Sequence, residues 1–279
     1  MSSPLLLTTP KLTMPALGLG TWPLKGRDCE EAVESALGLG YRHIDTAEIY
    51  GNEAAVGAGI AASGLARGEV FLTTKIWQDK PDGPAFRAAF AASLERLKQP
   101  YVDLLLVHWP SPALNLPSVL TALAHLHAEG LARAVGVSNF PSALLRQALA
   151  LDIAPIACLQ VEQHVMLGQQ TLLDITRPAG IVMTSYTPLG KGEVLEHPVL
   201  TGIAARLGAT PAQVALAYLL AKPLVAAVPK ARSAARQAEN LAAAQLRLSA
   251  EDLAAIAALP KNRRFVNPDF APAWDSPSP

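Results

Sequence analysis

Only two of the 279 residues are cysteine, Cys29 and Cys158, and they stand far apart in no C-x-x-C or metal-spacing pattern. That excludes a disulfide framework and a thiolate metal site, and predicts two buried free thiols in a reducing compartment. A surplus of either charge is also missing, since 23 Lys and Arg face 23 Asp and Glu. Without a basic excess there is nothing to hold a phosphate backbone, so no nucleic-acid partner is expected. Uninterrupted apolar runs of spanning length are absent as well. The segment 104–128 has no Asp, Glu, Lys or Arg, but Pro110, Pro112 and Pro117 divide it into two elements with a loop between. A membrane helix needs about 20 mostly apolar residues in one run. Met1–Leu12 shows no basic region ahead of an apolar stretch, so no secretion signal is expected and the location reads as cytoplasmic. Among the six histidines only His125 and His127 stand close, on one expected helix where they face apart; no metal site is expected.

What is present is a regular alternation. Apolar runs that read as strands fall at Ala16–Leu19, Arg42–Ile44, Val70–Thr74, Asp103–Val107, Ala132–Gly136, Ala157–Gln160, Ile181–Thr184 and Leu224–Ala227. They are continuously hydrophobic, as parallel strands covered on both faces must be. Helical patterns lie between them. Asp28 with Glu31 reads as a capping pair, Phe86, Phe90, Leu94 and Leu97 form one apolar stripe, and Val119, Leu123 and Leu126 another. Thr210-Pro211-x-Gln213 and Ser249 with Asp252 mark two further helix starts. Eight strand–helix units predict an α/β fold, a single (β/α)8 TIM barrel forming one domain over 1–279. Residues 1–13 read as a hairpin capping its bottom and 260–279 as a tail over its mouth. A doubly wound open sheet would need a third glycine after Gly18-Leu19-Gly20.

A barrel places its active site at the C-terminal ends of its strands. Here those ends carry Asp45 (with Tyr50 five residues on), Lys75, His108, Ser138-Asn139, Gln160 with Glu162, Tyr186 and Lys230. Each has a plainer reading: Asp45 as a turn cap, Lys75 as a solvated strand end, His108 as a satisfied core histidine. Three successive apolar runs ending in a titratable residue weigh against those readings taken together. Tyr, Lys, Asp and His suit proton donation to a carbonyl. An ammonium about 4 Å from a phenol favours the phenolate by roughly 4 kcal/mol at an effective dielectric of about 20, or about 3 pKa units. The set supplies no hydride, which a nicotinamide would have to bring.

Longer motifs surround these positions. Gly18-Leu19-Gly20-Thr21-Trp22, Gly40 through Ala47, Tyr50-Gly51-Asn52-Glu53, Tyr101 through Pro110, Gly136-Val137-Ser138-Asn139-Phe140 and Pro229-Lys230 through Glu239-Asn240 together resemble the aldo-keto reductase family. The likeness spans nearly the whole chain. It implies a catalytic tetrad of Asp45, Tyr50, Lys75 and His108, with Tyr50 as general acid. It further implies a nicotinamide cofactor lying by Gly20, Thr21 and Asp45, with its carboxamide on Ser138, Asn139 and Gln160 and its ring on Tyr186. Leu189 and Gly190 would then follow the pyrophosphate, Lys230 and Arg236 would pair with a 2′-phosphate, and Glu239 and Asn240 would hold adenine. Two cations at that end imply NADPH, and Arg232 adds charge where the family often has a hydroxyl residue in place of Ala231. Trp22, Trp77, His108 and Trp109 are the expected substrate contacts, with Gln163 standing where many relatives carry an aromatic.

Within the family the pattern is most similar to bacterial 2,5-diketo-D-gluconate reductases. That likeness implies a small carbonyl substrate, a sugar keto acid or a reactive aldehyde such as methylglyoxal, and a monomer. Two other readings stay open at this point: a regulatory protein that binds cofactor with little turnover, and a Schiff-base lyase using Lys75, for which that lysine would have to be neutral.

Overall fold

The computed structural model describes residues 4–276; the expected hairpin and tail segments thus lose 1–3 and 277–279, which lie outside the described residues. The chain opens on an antiparallel hairpin, β1 (Leu6–Thr9) and β2 (Leu12–Pro15). Eight parallel strands follow in chain order: β3 (Leu19–Gly20), β4 (His43–Asp45), β5 (Phe71–Ile76), β6 (Val102–Val107), β7 (Ala132–Ser138), β8 (Ile156–Glu162), β9 (Val182–Tyr186) and β10 (Val225–Ala227). Backbone bonds join the first to the last. The Gly18 amide donates to the Ala227 carbonyl (2.9 Å), the Ala227 amide to Ala16 (2.8 Å) and the Gly20 amide to Pro229 (3.0 Å). A Cβ on Gly20 would fall 2.6 Å from the Val228 carbonyl oxygen, so only glycine lets this seam close. The fold is the expected (β/α)8 barrel.

The helices are α1 (Gly26–Leu39), α2 (Glu53–Ala62), α3 (Gly83–Leu97), α4 (Leu116–Ala128), α5 (Ser142–Ala150), α6 (Gln170–Thr176), α7 (Pro198–Leu207), α8 (Pro211–Leu220), α9 (Ala234–Ala242) and α10 (Ala250–Ala257). The first six each follow one strand. Two helices follow β9 and two follow β10, so the chain exceeds one helix per strand. Helix α8 packs on β10 and α9 on α1, which completes the ring, while α7 and α10 pack on each other outside it through an Arg206–Asp252 ion pair. The expected cap of α8 forms in full: Thr210 Oγ1 accepts the Gln213 amide (3.2 Å) and Gln213 Oε1 accepts the Thr210 amide (2.9 Å). The Asp28 expectation fails. Helix α1 starts two residues earlier, at Gly26, and Asp28 sits inside its first turn, where its carboxylate takes Arg232 Nη2 at 2.6 Å. Among the described residues, no single helix is long and apolar enough to cross a membrane.

Two cores result. One lies between strands and helices and takes in the expected stripes, with Phe86, Phe90, Leu97, Val119, Leu123 and Leu126 all buried. The other fills the barrel, where Leu104, Leu106, Ala134, Cys158, Val182 and Ala226 meet Leu12 and Met14 of the hairpin, which plugs the bottom. Both cysteines are buried and free, and burial pushes the Cys29 thiol up to about 11 and Cys158 to about 12, so neither is a nucleophile at neutral pH.

His43 stands low in this interior, its Nε2 3.1 Å from Thr73 Oγ1. Burial lowers its pKa to about 4. The folded state therefore keeps the ring neutral while an unfolded chain protonates it near pH 6.5, and stability falls as pH drops from about 6.5 to about 4. That difference corresponds to about 3 kcal/mol. Thermal melts over this range should show the loss in the wild type and a flatter profile for His43→Gln.

Candidate active site

Side chains on a strand alternate between faces, so every second residue points into the barrel. The interior residues named above fix which set that is. Carried towards the strand ends, the same two-residue step leads from Leu104 and Leu106 to His108, from Ala134 to Ser138, from Cys158 to Gln160, and from Val182 to Tyr186. On β4 and β5 it leads from His43 to Asp45 and from Thr73 to Lys75. The polar strand ends thus converge because the apolar residues beneath them share their face.

The arrangement is tight. Lys75 Nζ, fully buried, donates to Asp45 Oδ1 at 2.6 Å and to the Thr46 carbonyl at 2.8 Å, while Asp45 Oδ2 accepts from Gln160 Nε2 at 2.8 Å. The Lys75 ammonium lies 5.1 Å from the centre of the half-buried Tyr50 ring, and the His108 ring stands edge-on to it at 5.6 Å. Tyr50 ends a 3-10 turn, Glu48–Tyr50, closed by Gly51 at φ 63°. Asn52 secures that turn from behind. Its Oδ1 accepts from Thr46 Oγ1 (2.7 Å), and its Nδ2 donates to the carbonyls of Leu24 (2.9 Å) and Thr21 (3.3 Å). Glu48 Oε2 accepts the Trp77 amide at 3.1 Å, joining the ends of β4 and β5.

The protonation states follow from this packing. Burial alone would lower Lys75, but Asp45, and then Tyr50, raise it above its ordinary value, so it stays an ammonium. A charged Lys75 has no lone pair with which to form a Schiff base. Burial, and then the positive Lys75, hold His108 well below its ordinary value and therefore neutral. The phenol departs from expectation. Burial raises Tyr50, Lys75 pulls it back only in part and Asp45 opposes Lys75, so the net shift is upward. The carboxylate 2.6 Å from the ammonium cancels much of its field at the phenol, which the isolated ammonium–phenol pair leaves out.

Beside this group the buried Asn139, at φ 61°, donates from Nδ2 to the His108 carbonyl (2.9 Å) and to Ser138 Oγ (3.0 Å), and accepts from the Tyr186 hydroxyl (2.7 Å). Thr21 is buried and gives both its amide and its hydroxyl to the Asp45 carbonyl at 3.0 Å, bracing β3 against β4. Leu189 and Gly190 lie on the loop after β9. Lys230 and Arg236 are exposed beyond β10 and make no ion pair among the described residues. Asn240 nearby is 4% exposed with no side-chain hydrogen bond there, and Glu239 Oε1 accepts from Thr210 Oγ1 at 2.6 Å. Arg232 does not add free charge, because Asp28 already neutralises it.

Trp22 packs on Tyr50 at 5.1 Å with about half its surface exposed, and Trp77 packs on His108 at 5.1 Å. Trp109 is buried. It and Trp77 both meet Phe270 at 5.4 Å, and Trp109 meets Trp274 at 5.8 Å. The tail therefore does lie over the mouth, and Phe270 and Trp274 are mouth residues that the sequence reading did not single out. Their only sequence signal is an aromatic pair in an irregular Pro-rich ending. Glu162, fully buried at the end of β8, anchors this tail by accepting the Phe265 (2.7 Å) and Val266 (3.0 Å) amides. Gln163 is buried and accepts from Ser185 Oγ at 2.8 Å.

The comparisons with known proteins agree with this geometry. The model of the Aldo/keto reductase family matches residues 16–261. Methylglyoxal reductase DkgB of Salmonella typhimurium is 42% identical over 268 residues, covering 95% of this chain and all of that protein, and DkgB of Yersinia pestis is 41% identical over the same length. A crystal structure carrying the provisional name 2,5-diketo-D-gluconic acid reductase B is 42% identical, with a TM-score of 0.91 and 94% of each chain covered. Motif, barrel and whole-length likeness lead to one assignment: this chain is a member of the aldo/keto reductase family.

Proposed function

We propose that the protein is an NADPH-dependent reductase of small aldehydes and keto acids, working as a cytoplasmic monomer of one domain over 1–279. Methylglyoxal and 2,5-diketo-D-gluconate are the first substrates to try, since the relatives above carry those names. One observation carries the reading. A buried ammonium, 2.6 Å from a carboxylate, sits 5.1 Å from a phenol ring that a neutral imidazole ring meets edge-on.

The residues present fit a nicotinamide dinucleotide phosphate. Ser138, Asn139 and Gln160 offer the mixed donors and acceptors an amide needs, and Tyr186 offers an aromatic face beside them. Among the described residues Lys230 and Arg236 make no ion pair, and the buried Asn240 side chain makes no hydrogen bond. Gly20 and Thr21 would lie beside the nicotinamide, and Leu189 and Gly190 would follow the pyrophosphate. When bound, the reduced nicotinamide would supply hydride to the carbonyl carbon.

The chain's own groups do the rest. Tyr50, raised above its ordinary pKa, is protonated at neutral pH and donates its proton to the carbonyl oxygen. Lys75 stabilises the phenolate left behind, and Asp45 holds that ammonium in place. His108 Nδ1 is buried with no partner among the described residues, so the proton of the neutral ring belongs on Nε2, where it hydrogen-bonds the same oxygen and orients it. Trp22, Trp77 and Trp109 shape the approach and exclude water.

Incubation with NADPH and a panel of methylglyoxal, diketogluconate, an aromatic aldehyde and a ketosteroid, read by NADPH absorbance, tests the reading. Turnover of the first two ahead of the ketosteroid is expected. Cofactor binding without consumption would instead favour the regulatory reading. The double variant Lys230→Ala/Arg236→Ala should weaken NADPH by at least about 100-fold while changing NADH by less than about 3-fold, because each charge-assisted bond is worth about 1.5–3 kcal/mol. Fluorescence titration of each cofactor measures it.

A further inference from the structure

A cleft of about 410 Å³ opens beneath the C-terminal tail, between residues 140–141, 167–172 and 262–276. It is distinct from the mouth above Tyr50 but shares a wall with it, because Trp274 lines the cleft and also packs against Trp109. Its lining sets Asn262, Asn267, Gln170 and Arg264 beside apolar Phe140, Leu167 and Leu172. The Arg264 guanidinium carbon lies over the Trp274 ring, 3.8 Å from its centre. Arg264 Nη1 is buried without a hydrogen-bond partner among the described residues, and its closest carboxylate oxygen, Glu162 Oε2, is 3.6 Å away.

Glu162 forms a long ion pair with this arginine, and both nearby acids also hold other donors. Glu162 accepts two backbone amides and lies 3.2 Å from His164 Nε2. Asp275 accepts the Ser142 amide (2.8 Å) and hydroxyl (2.6 Å). A guanidinium presents five N–H donors in a planar fork, and a buried donor left unpaired costs about 1–3 kcal/mol. Around it stand groups suited to hydroxyls. Asn267 accepts from Trp274 Nε1 (2.7 Å) and keeps its own amide hydrogens. Gln170 donates to Asp174 (2.6 Å) and keeps its oxygen. The Asn262 side chain makes no hydrogen bond among the described residues.

We infer that this cleft binds a small polyhydroxylated carboxylate, its acid group on Arg264 and its hydroxyls on Asn262, Asn267 and Gln170. Arg264 Nε and Nη2 make no hydrogen bond among the described residues, and the rest of a planar fork turned from Glu162 matches a carboxylate, while uncommitted side-chain amides match vicinal hydroxyls. The inference rests on the proposed function only in its choice of ligand, because a sugar keto acid belongs to this chemical class. The acid can be the substrate's own or that of a free aldonate, and the experiment separates the two.

Calorimetry with D-gluconate on the cofactor-free protein needs no turnover. Binding is expected, with sorbitol, the same polyol without the acid, at least tenfold weaker. Arg264→Gln should remove the preference and Arg264→Lys restore part of it. Asn262→Leu, which leaves the arginine and the tail anchor alone, should weaken gluconate several-fold. Equal binding of gluconate and sorbitol, no binding of either, or unchanged gluconate binding in Arg264→Gln would each overturn the inference. Steady-state kinetics assign the source. If the acid is the substrate's, Arg264→Gln raises KM for diketogluconate at least tenfold more than for methylglyoxal. If it is a free aldonate, the two KM values shift alike and gluconate inhibits without competing with methylglyoxal. Absence of turnover with gluconate still bound would defeat the proposed activity and leave the cleft assignment standing.

Discussion

Tyr50→Phe is expected to lower carbonyl reduction by about 10²–10⁴, the range a positioned general acid contributes. The ring would keep its packing against Trp22 and His108, so fold and cofactor affinity should stay close to wild type. NADPH titration and a melt would establish that, and steady-state assays with methylglyoxal would read the loss. Retention of more than about a tenth of the activity would remove the phenol from the mechanism. The upward shift of Tyr50 adds a pH consequence. Because the protonated form is the donor, reduction should hold through neutral pH and fall only on the alkaline side. If Lys75 overcame burial and pulled the phenol down to working pH, the fall would come near neutrality.

Asp45→Asn should damage stability as well as turnover. It leaves the Lys75 ammonium fully buried without its carboxylate, and breaking a buried pair from one side typically costs about 3–5 kcal/mol. At about 2–4 °C per kcal/mol, that is a drop in Tm of roughly 6–20 °C. The double variant Asp45→Asn/Lys75→Met should recover much of the lost Tm, since no buried charge remains, while reductase activity stays absent. Equal destabilisation by the single and double variants would mean that the cost lies in packing rather than in the uncompensated charge.

Much of this site could be read from the chain because barrel geometry makes strand ends informative. Asp45, Lys75, His108, Ser138, Gln160 and Tyr186 each close an apolar run, and a two-residue period ties each to an interior residue beneath it. Strand limits moved by a residue or more, as where Ala157–Gln160 becomes Ile156–Glu162, because pairing with neighbouring strands sets the ends. The first strand moved furthest. Of Ala16–Leu19 only Leu19 lies in β3, and the rest serves the seam with β10. Asp28 was misread for a comparable reason. Its local spacing matches a helix cap, but its partner, Arg232, is 204 residues away, and no local pattern reports that distance.

From composition and pattern alone came the eight-strand alternation, the end of the barrel where the polar residues gather, and the family, all of them properties of short segments. Tertiary structure decided what depends on summed fields and long-range contacts. It set the direction in which the Tyr50 phenol shifts, neutralised Arg232, tied the tail to Glu162 so that Phe270 and Trp274 reach the mouth, and left Arg264 with an unpaired N–H. Burial and electrostatic coupling depend on how many groups surround an atom in space, and the order of residues along the chain does not contain that number until the chain has folded.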